Sequence, residues 1–169
     1  MFSTIRKSLM GLTAGLLIAF AAFSPQANAT PQYTSQHRSN SMTDLVTAIG
    51  STGTLMILTG AQPASVATAD SGTVLVVLPL SATAGSVTAG VLTFNAITSA
   101  AATATGTAAH FLICTSSNTA NCVAASSTTR VVQGAVAASG SDLNFAGGVS
   151  FTSGETISIS SFSIVANGA

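Results

Sequence analysis

The chain has 169 residues, 47% of them hydrophobic and only 5% charged, with four basic and four acidic side chains in formal balance. Such a composition is too apolar for an intrinsically disordered chain. It is also too poor in cations for a nucleic-acid binder, whose affinity grows with each phosphate it neutralises.

In chain order, the first element is a leader. MFSTIRK is a short basic stretch, SLMGLTAGLLIAFAAF an apolar one, and SPQANA a polar one ending in the small-x-small pattern Ala27-Asn28-Ala29, the three-part layout of a secretory signal peptide. The apolar run is shorter than the roughly 20 residues a membrane span needs, contains Gly11 and Gly15, and is broken by Pro25. Residues 1–29 therefore read as a signal peptide cleaved after Ala29, with no cysteine at the cut for a lipid anchor and no stable membrane insertion after cleavage. Export places the product in the periplasm, at the cell surface or in the medium. Arg6 and Lys7 leave with the leader, so the mature chain sets Arg38 and Arg130 against Asp44, Asp70, Asp142 and Glu155, a formal charge of −2. The mature chain has no lysine. That excludes Schiff-base chemistry, a P-loop lysine and the lysine–asparagine cross-links of some surface adhesins.

Residues 30–41, TPQYTSQHRSNS, are polar without periodicity and read as a flexible tether to a domain spanning 42–169. MTDLVTAIG then predicts a helix of at most two turns, with Leu45, Val46 and Ile49 on one face and Gly50 as its stop. From Thr54 onward TLMILT, GTVLVVLPL, GVLTFNAI, AAHFLIC, TTRVVQGAVA, DLNF and ETISISSFSIVA alternate with connectors rich in Gly, Ser, Ala, Thr or Pro. This predicts an all-β domain, a single antiparallel β-sandwich of about seven strands, jelly-roll or immunoglobulin-like, with a short N-terminal helix. In GVLTFNAI, Leu92, Phe94 and Ala96 share one face, with Thr93 and Asn95 on the other. Ile157 and Ile159 are out of phase with Phe162 and Ile164, so a bulge or bend near Ser160-Ser161 is needed to keep all four inward. LTGAQPASVATADSGT should be a surface connector, and TSAAATATGTAA a wide turn leading into a strand rather than a helix.

The residues able to carry chemistry are few. Asp142, Asn144 and Gly147 resemble the opening of a calcium loop, but Ala146 and Ser153 stand where ligands belong, so a turn at 139–142 is the better reading. Gly85 and Gly90 have phosphate-loop spacing without the following Lys-Ser/Thr pair. His37 lies in the tether. His110 opens HFLIC with no acid nearby in sequence, and is read as a strand residue facing solvent or a neighbouring carbonyl. G-x-S-x-G is absent. No catalytic, cofactor-binding or metal-binding residue is assigned, and the chain is read as a non-enzyme without cofactors.

Cys114 and Cys122 are the only cysteines. The intervening TSSNTAN offers no metal ligand, and the spacing is neither a zinc knuckle nor C-x-x-C. In an exported chain this predicts a disulfide, contributing about 2–3 kcal/mol by closing a short loop. The loop is expected to be a hairpin tip clamped at its base, presenting Thr115, Ser116, Ser117, Asn118, Thr119, Ala120 and Asn121 as a candidate contact surface.

Several stretches carry a resemblance: GTLMILTGAQPASVATADSGTVL, VLTFNAITSAAATATGTAAHFLI and VVQGAVAASGSDLNFAGGVSFTSGETISISSFSIV. Their order, from about Met42 to the C-terminus, resembles a largely uncharacterised family of small β-rich structural proteins of tailed bacteriophages and prophages, to which this chain adds a signal peptide and a longer cysteine loop. The resemblance implies a virion-type module, a head decoration or tail-associated protein, with no catalytic residues to carry over. Two function classes follow. One is a structural subunit acting by assembly contacts with itself or a larger protein lattice, on a virion or in an exported filament or surface layer. The other is an exported monomeric module, adhesin-like or carbohydrate-binding. Sugar sites present stacking aromatics, and here Tyr33 sits in the tether and some of the eight phenylalanines leave with the leader. Scarce surface charge also favours association, so assembly, with a homo-oligomer as the expected state, is the preferred reading.

Overall fold

The structure, a computed structural model, describes residues 32–115, 119–124 and 129–166. The expected signal peptide lies outside the described residues.

The first helix, α1 (Ser35–Ile49), is 15 residues long, so most of the expected tether is helix. Composition hid this, because the first half of α1 is polar all round and its stabilising groups are local. The Thr34 hydroxyl caps the helix by accepting the His37 N–H at 3.3 Å, and the Gln36 amide donates to Asn40 one turn on. The second half carries the apolar stripe Met42, Leu45, Val46 and Ile49, packed on the core. Gly50, with φ 69°, ends the helix by donating its N–H to the Val46 carbonyl. The polar half is also tied down, since Ser39 Oγ accepts the Gly90 N–H at 3.0 Å.

The remainder is β-rich, as expected. A five-stranded sheet contains β1 (Thr54–Leu58), β2 (Val74–Pro79), β7 (His110–Cys114), β8 (Arg130–Ala137) and β9 (Leu143–Asn144) in the order β2-β1-β7-β8-β9. A three-stranded sheet, β12-β4-β3, contains β3 (Gly85–Thr88), β4 (Val91–Phe94) and β12 (Ser163–Val165). Two short ladders pair β5 (Ala100–Ala101) with β11 (Thr156–Ile157), and β6 (Gly106–Thr107) with β10 (Ser150–Phe151). A short helix, α2 (Thr119–Val123), lies between β7 and β8. The described residues form twelve strands in four sheets, more than the seven or so expected, and β8 pairs β9 in parallel where antiparallel pairing was expected throughout. The strands missed in the sequence are β3, β5, β6 and β10, and three of those are two residues long, too short for alternation to register.

The five-stranded sheet is covered on both faces, so every residue of β1 and β7 is buried. Leu55, Ile57, Phe111 and Ile113 belong to the main core, and Met56, Leu58, Leu112 and Cys114 to a second cluster. Phe162 stacks on Phe94 at 4.9 Å and meets Phe111 edge-on at 5.3 Å, joining the three-stranded sheet to the five-stranded one. Leu92 and Phe94 are buried and Thr93 and Asn95 exposed, while Ala96 is exposed because β4 has already ended. The phase break at Ser160-Ser161 is real: Ile157 and Phe162 are buried and both serines exposed. It is a change of sheet rather than a bulge, since β11 pairs β5 and β12 pairs β4.

Close approach makes Gly85 obligatory. A Cβ on Gly85 would sit 2.2 Å from the Thr93 carbonyl oxygen across the β3–β4 ladder, and backbone cannot swing aside as a side chain can. Gly85→Ala is therefore expected to cost about 2 kcal/mol or more, read as a lower urea midpoint at unchanged slope; an unshifted midpoint would contradict this packing.

Candidate functional site

The connector after β1 is a closed loop. Thr59 donates its N–H to the Thr73 carbonyl, and the Thr73 N–H donates back to Thr59 Oγ1, both at 3.0 Å. Between these ends the chain lies on the face of the five-stranded sheet that carries His110, Leu112 and Cys114 on β7, with Gln133 and Arg130 beside them on β8. This is a surface connector, as expected, but one anchored from below at four points. Gln133 Nε2 donates to the Pro63 carbonyl at 2.7 Å, Arg130 Nη1 to the Thr68 carbonyl at 2.7 Å, and His110 faces both the Gly60 carbonyl and Asp70.

The centre of this cluster is Asp70–His110. Asp70 Oδ2 lies 2.7 Å from His110 Nε2, and both side chains are 0% exposed. The other ring nitrogen, Nδ1, faces the Gly60 carbonyl at 3.3 Å. Asp70 Oδ1 accepts the Gly72 N–H at 2.7 Å, and the Asp70 N–H donates to the Val123 carbonyl at 2.8 Å. Of the two environments expected for His110, the neighbouring carbonyl is present and solvent is not. Its acid was invisible in sequence because Asp70 is 40 residues away.

Arg130, also fully buried, completes the cluster. Its Nε and Nη2 donate to the Cys122 carbonyl at 3.1 and 2.8 Å, and Nη2 also reaches the Val123 carbonyl at 3.1 Å. Burial pushes its guanidinium below the ordinary value, and the Asp70 carboxylate pulls it partly back. The arginine thereby caps the carbonyl end of α2.

The expected disulfide joins Cys114 to Cys122, with Cα atoms 5.9 Å apart and both residues buried. Its setting differs from a clamped hairpin tip. The ladder partner of Cys114 is Arg130, whereas Cys122 lies on α2, so the bridge ties a strand end to a helix inside the connection. Of the expected contact loop, Thr115 is half-buried, donating its N–H to the Thr129 carbonyl and accepting from Thr52 Oγ1. Ser116, Ser117 and Asn118 lie outside the described residues. Thr119 opens α2, and Ala120 and Asn121 are exposed.

The other singled-out residues serve turns. Asp142 Oδ2 accepts the Ala135 N–H at 2.9 Å, and the Asn144 amide closes on both backbone groups of Ser141. Gly90 follows Ala89 in the β3–β4 turn, with φ of 83° and 52°, the signs of a two-residue hairpin turn. His37 stacks on Tyr33 at the start of α1. Among the described residues no three His, Cys, Asp or Glu side chains converge, and no helix is long and apolar enough to cross a membrane. No family model, curated protein or solved structure matches the chain.

Chemically, the arrangement holds chain segments together. His110 and Asp70 have the identities of an acid–base pair, but a general base must reach its proton within hydrogen-bonding distance, and this ring is closed to solvent with both nitrogens facing protein oxygens. Asp70→Asn should lower stability by about 2 kcal/mol through loss of a charge-assisted hydrogen bond, and open residues 60–72 to limited proteolysis. Unchanged stability and protection would show that the pair does not hold the loop.

Proposed function

We infer that this protein is an exported, non-enzymatic structural subunit that acts by assembly contacts, on a virion surface or in an exported filament or surface layer. The observation that carries this reading is the enclosed Asp70–His110–Arg130 cluster: the polar side chains best suited to chemistry are buried and committed to fastening the 59–73 loop and α2. A disulfide is in keeping with an oxidising compartment outside the cytoplasm, and the leader-like segment with export. The body of the domain is read as a two-layer sandwich, supported by the Phe111–Phe162 contact between the two larger sheets. The order of motifs resembling phage structural proteins supports the virion form of the reading.

Sedimentation of the mature chain, residues 30–169, over a wide concentration range tests assembly. Association that grows with concentration is expected. A strict monomer throughout would overturn the reading.

A further inference from the structure

Strand β12 borders its sheet, and among the described residues no strand pairs along its outer side. The Phe162 carbonyl accepts from Phe94, and the Ala166 N–H donates to Gly90. Because antiparallel residues alternate between bonding to the partner and pointing away, the N–H and C=O groups of Ser163 and Val165 point outward. Beside them runs a groove of about 420 Å³ walled by Phe111, Val132 and Gln133. Edges of this kind are usually guarded by charge, proline or a bulge. Ser163-Ile164-Val165 has no such guard, and Val165 is 57% exposed. Tyr33, the other large apolar side chain exposed among the described residues, shares a recess with Ala166 at the end of the same strand.

We propose that this edge is the contact between two copies of the chain, with β12 pairing antiparallel to β12 of the second copy about a two-fold axis at Ile164. The proposal rests on the assembly reading and names its interface. Two features favour a second copy as the occupant. The first is register: Ser163 of each copy meets Val165 of the other, and their outward groups form four reciprocal backbone hydrogen bonds with none left over. The second is charge. Of the six charged residues of the mature chain, Asp142 lines the groove beside Ser163, and Arg38 lines the recess beside Ala166. Antiparallel pairing brings the Asp142 end of one copy toward the Arg38 end of the other, whereas parallel pairing would set like charges together.

The test uses the mature chain. Ile164→Cys should give a covalent dimer under mild oxidation, because residues facing each other across the axis form a non-hydrogen-bonded pair with Cα atoms about 4.5 Å apart. Ser163→Pro removes an outward N–H and no bond to β4, so it should leave the melting temperature nearly unchanged while weakening self-association at least about tenfold. Val165→Lys, which places a charge on the edge, should do the same. Added salt should weaken association of the wild-type chain. Association that survives both edge substitutions, with no cross-link at 164, would overturn this interface and leave the assembly reading standing; a wild-type chain that never associates would overturn both.

Discussion

Arg130→Met is expected to lower the free energy of unfolding by about 3 kcal/mol, more than any exposed substitution in this chain should. Methionine fills much of the same volume, so the loss is one of hydrogen bonding. Arg130 donates to the carbonyls of Thr68, Cys122 and Val123, and these belong to the backbone, so they remain when the side chain changes. The Cys122 carbonyl, which takes two of these donors in the buried interior, loses both at about 1–3 kcal/mol and the Thr68 carbonyl loses its donor too, while Val123 keeps the Asp70 N–H. Relief from burying a cation, the effect that depresses this guanidinium, offsets part of that sum but not most of it. Arg130→Lys should fall between, because one ammonium cannot reproduce a fork reaching two segments. Urea unfolding with an unchanged slope is the measurement, and a loss below about 0.5 kcal/mol would mean that the cluster is not what fastens the loop and α2.

Replacing both cysteines by serine should lower the melting temperature by roughly 10 °C. Part of this is the entropy of an unclosed loop, about 2–3 kcal/mol. The remainder arises because Cys114 and Cys122 are fully buried in an apolar cluster with Met56, Leu58 and Leu112, where two hydroxyls need partners. The bridge and Arg130 act on the same short helix, so combining the changes should cost less than the sum of each alone. Both residues being buried also predicts slow reduction of the native protein, accelerating in denaturant. A melting temperature within 2 °C of wild type, a bound of about half a kcal/mol, would contradict the role given to the bridge.

Sequence legibility followed the length and environment of each element. Long, half-buried or fully apolar strands such as TLMILT and HFLIC were evident, as were the cysteine pairing and the phase break at Ser160-Ser161. The two-residue strands at Ala100, Gly106 and Ser150 left no periodic signal, because they hold by backbone pairing in alanine-, glycine- and serine-rich segments. The front half of α1 was missed for the opposite reason: its signal was the Thr34 cap and one i,i+4 amide pair, not an apolar stripe. The polar cluster was the largest omission. Asp70 sits in a loop that looks like simple filler, and only the fold brings it to His110. One clue was present, an arginine entering the otherwise uncharged strand RVVQGAVA in a chain almost without charge. Such a residue has to be matched by acceptors wherever it is buried, and here those are the carbonyls of α2 and the loop.

Immunogold electron microscopy of the native protein, in material from the cells or particles that produce it, shows whether the protein is an assembly subunit. Label on an ordered, many-copy structure outside the cytoplasm is the expected result; label dispersed as single copies, with none on any particle, filament or surface layer, would overturn the assembly role.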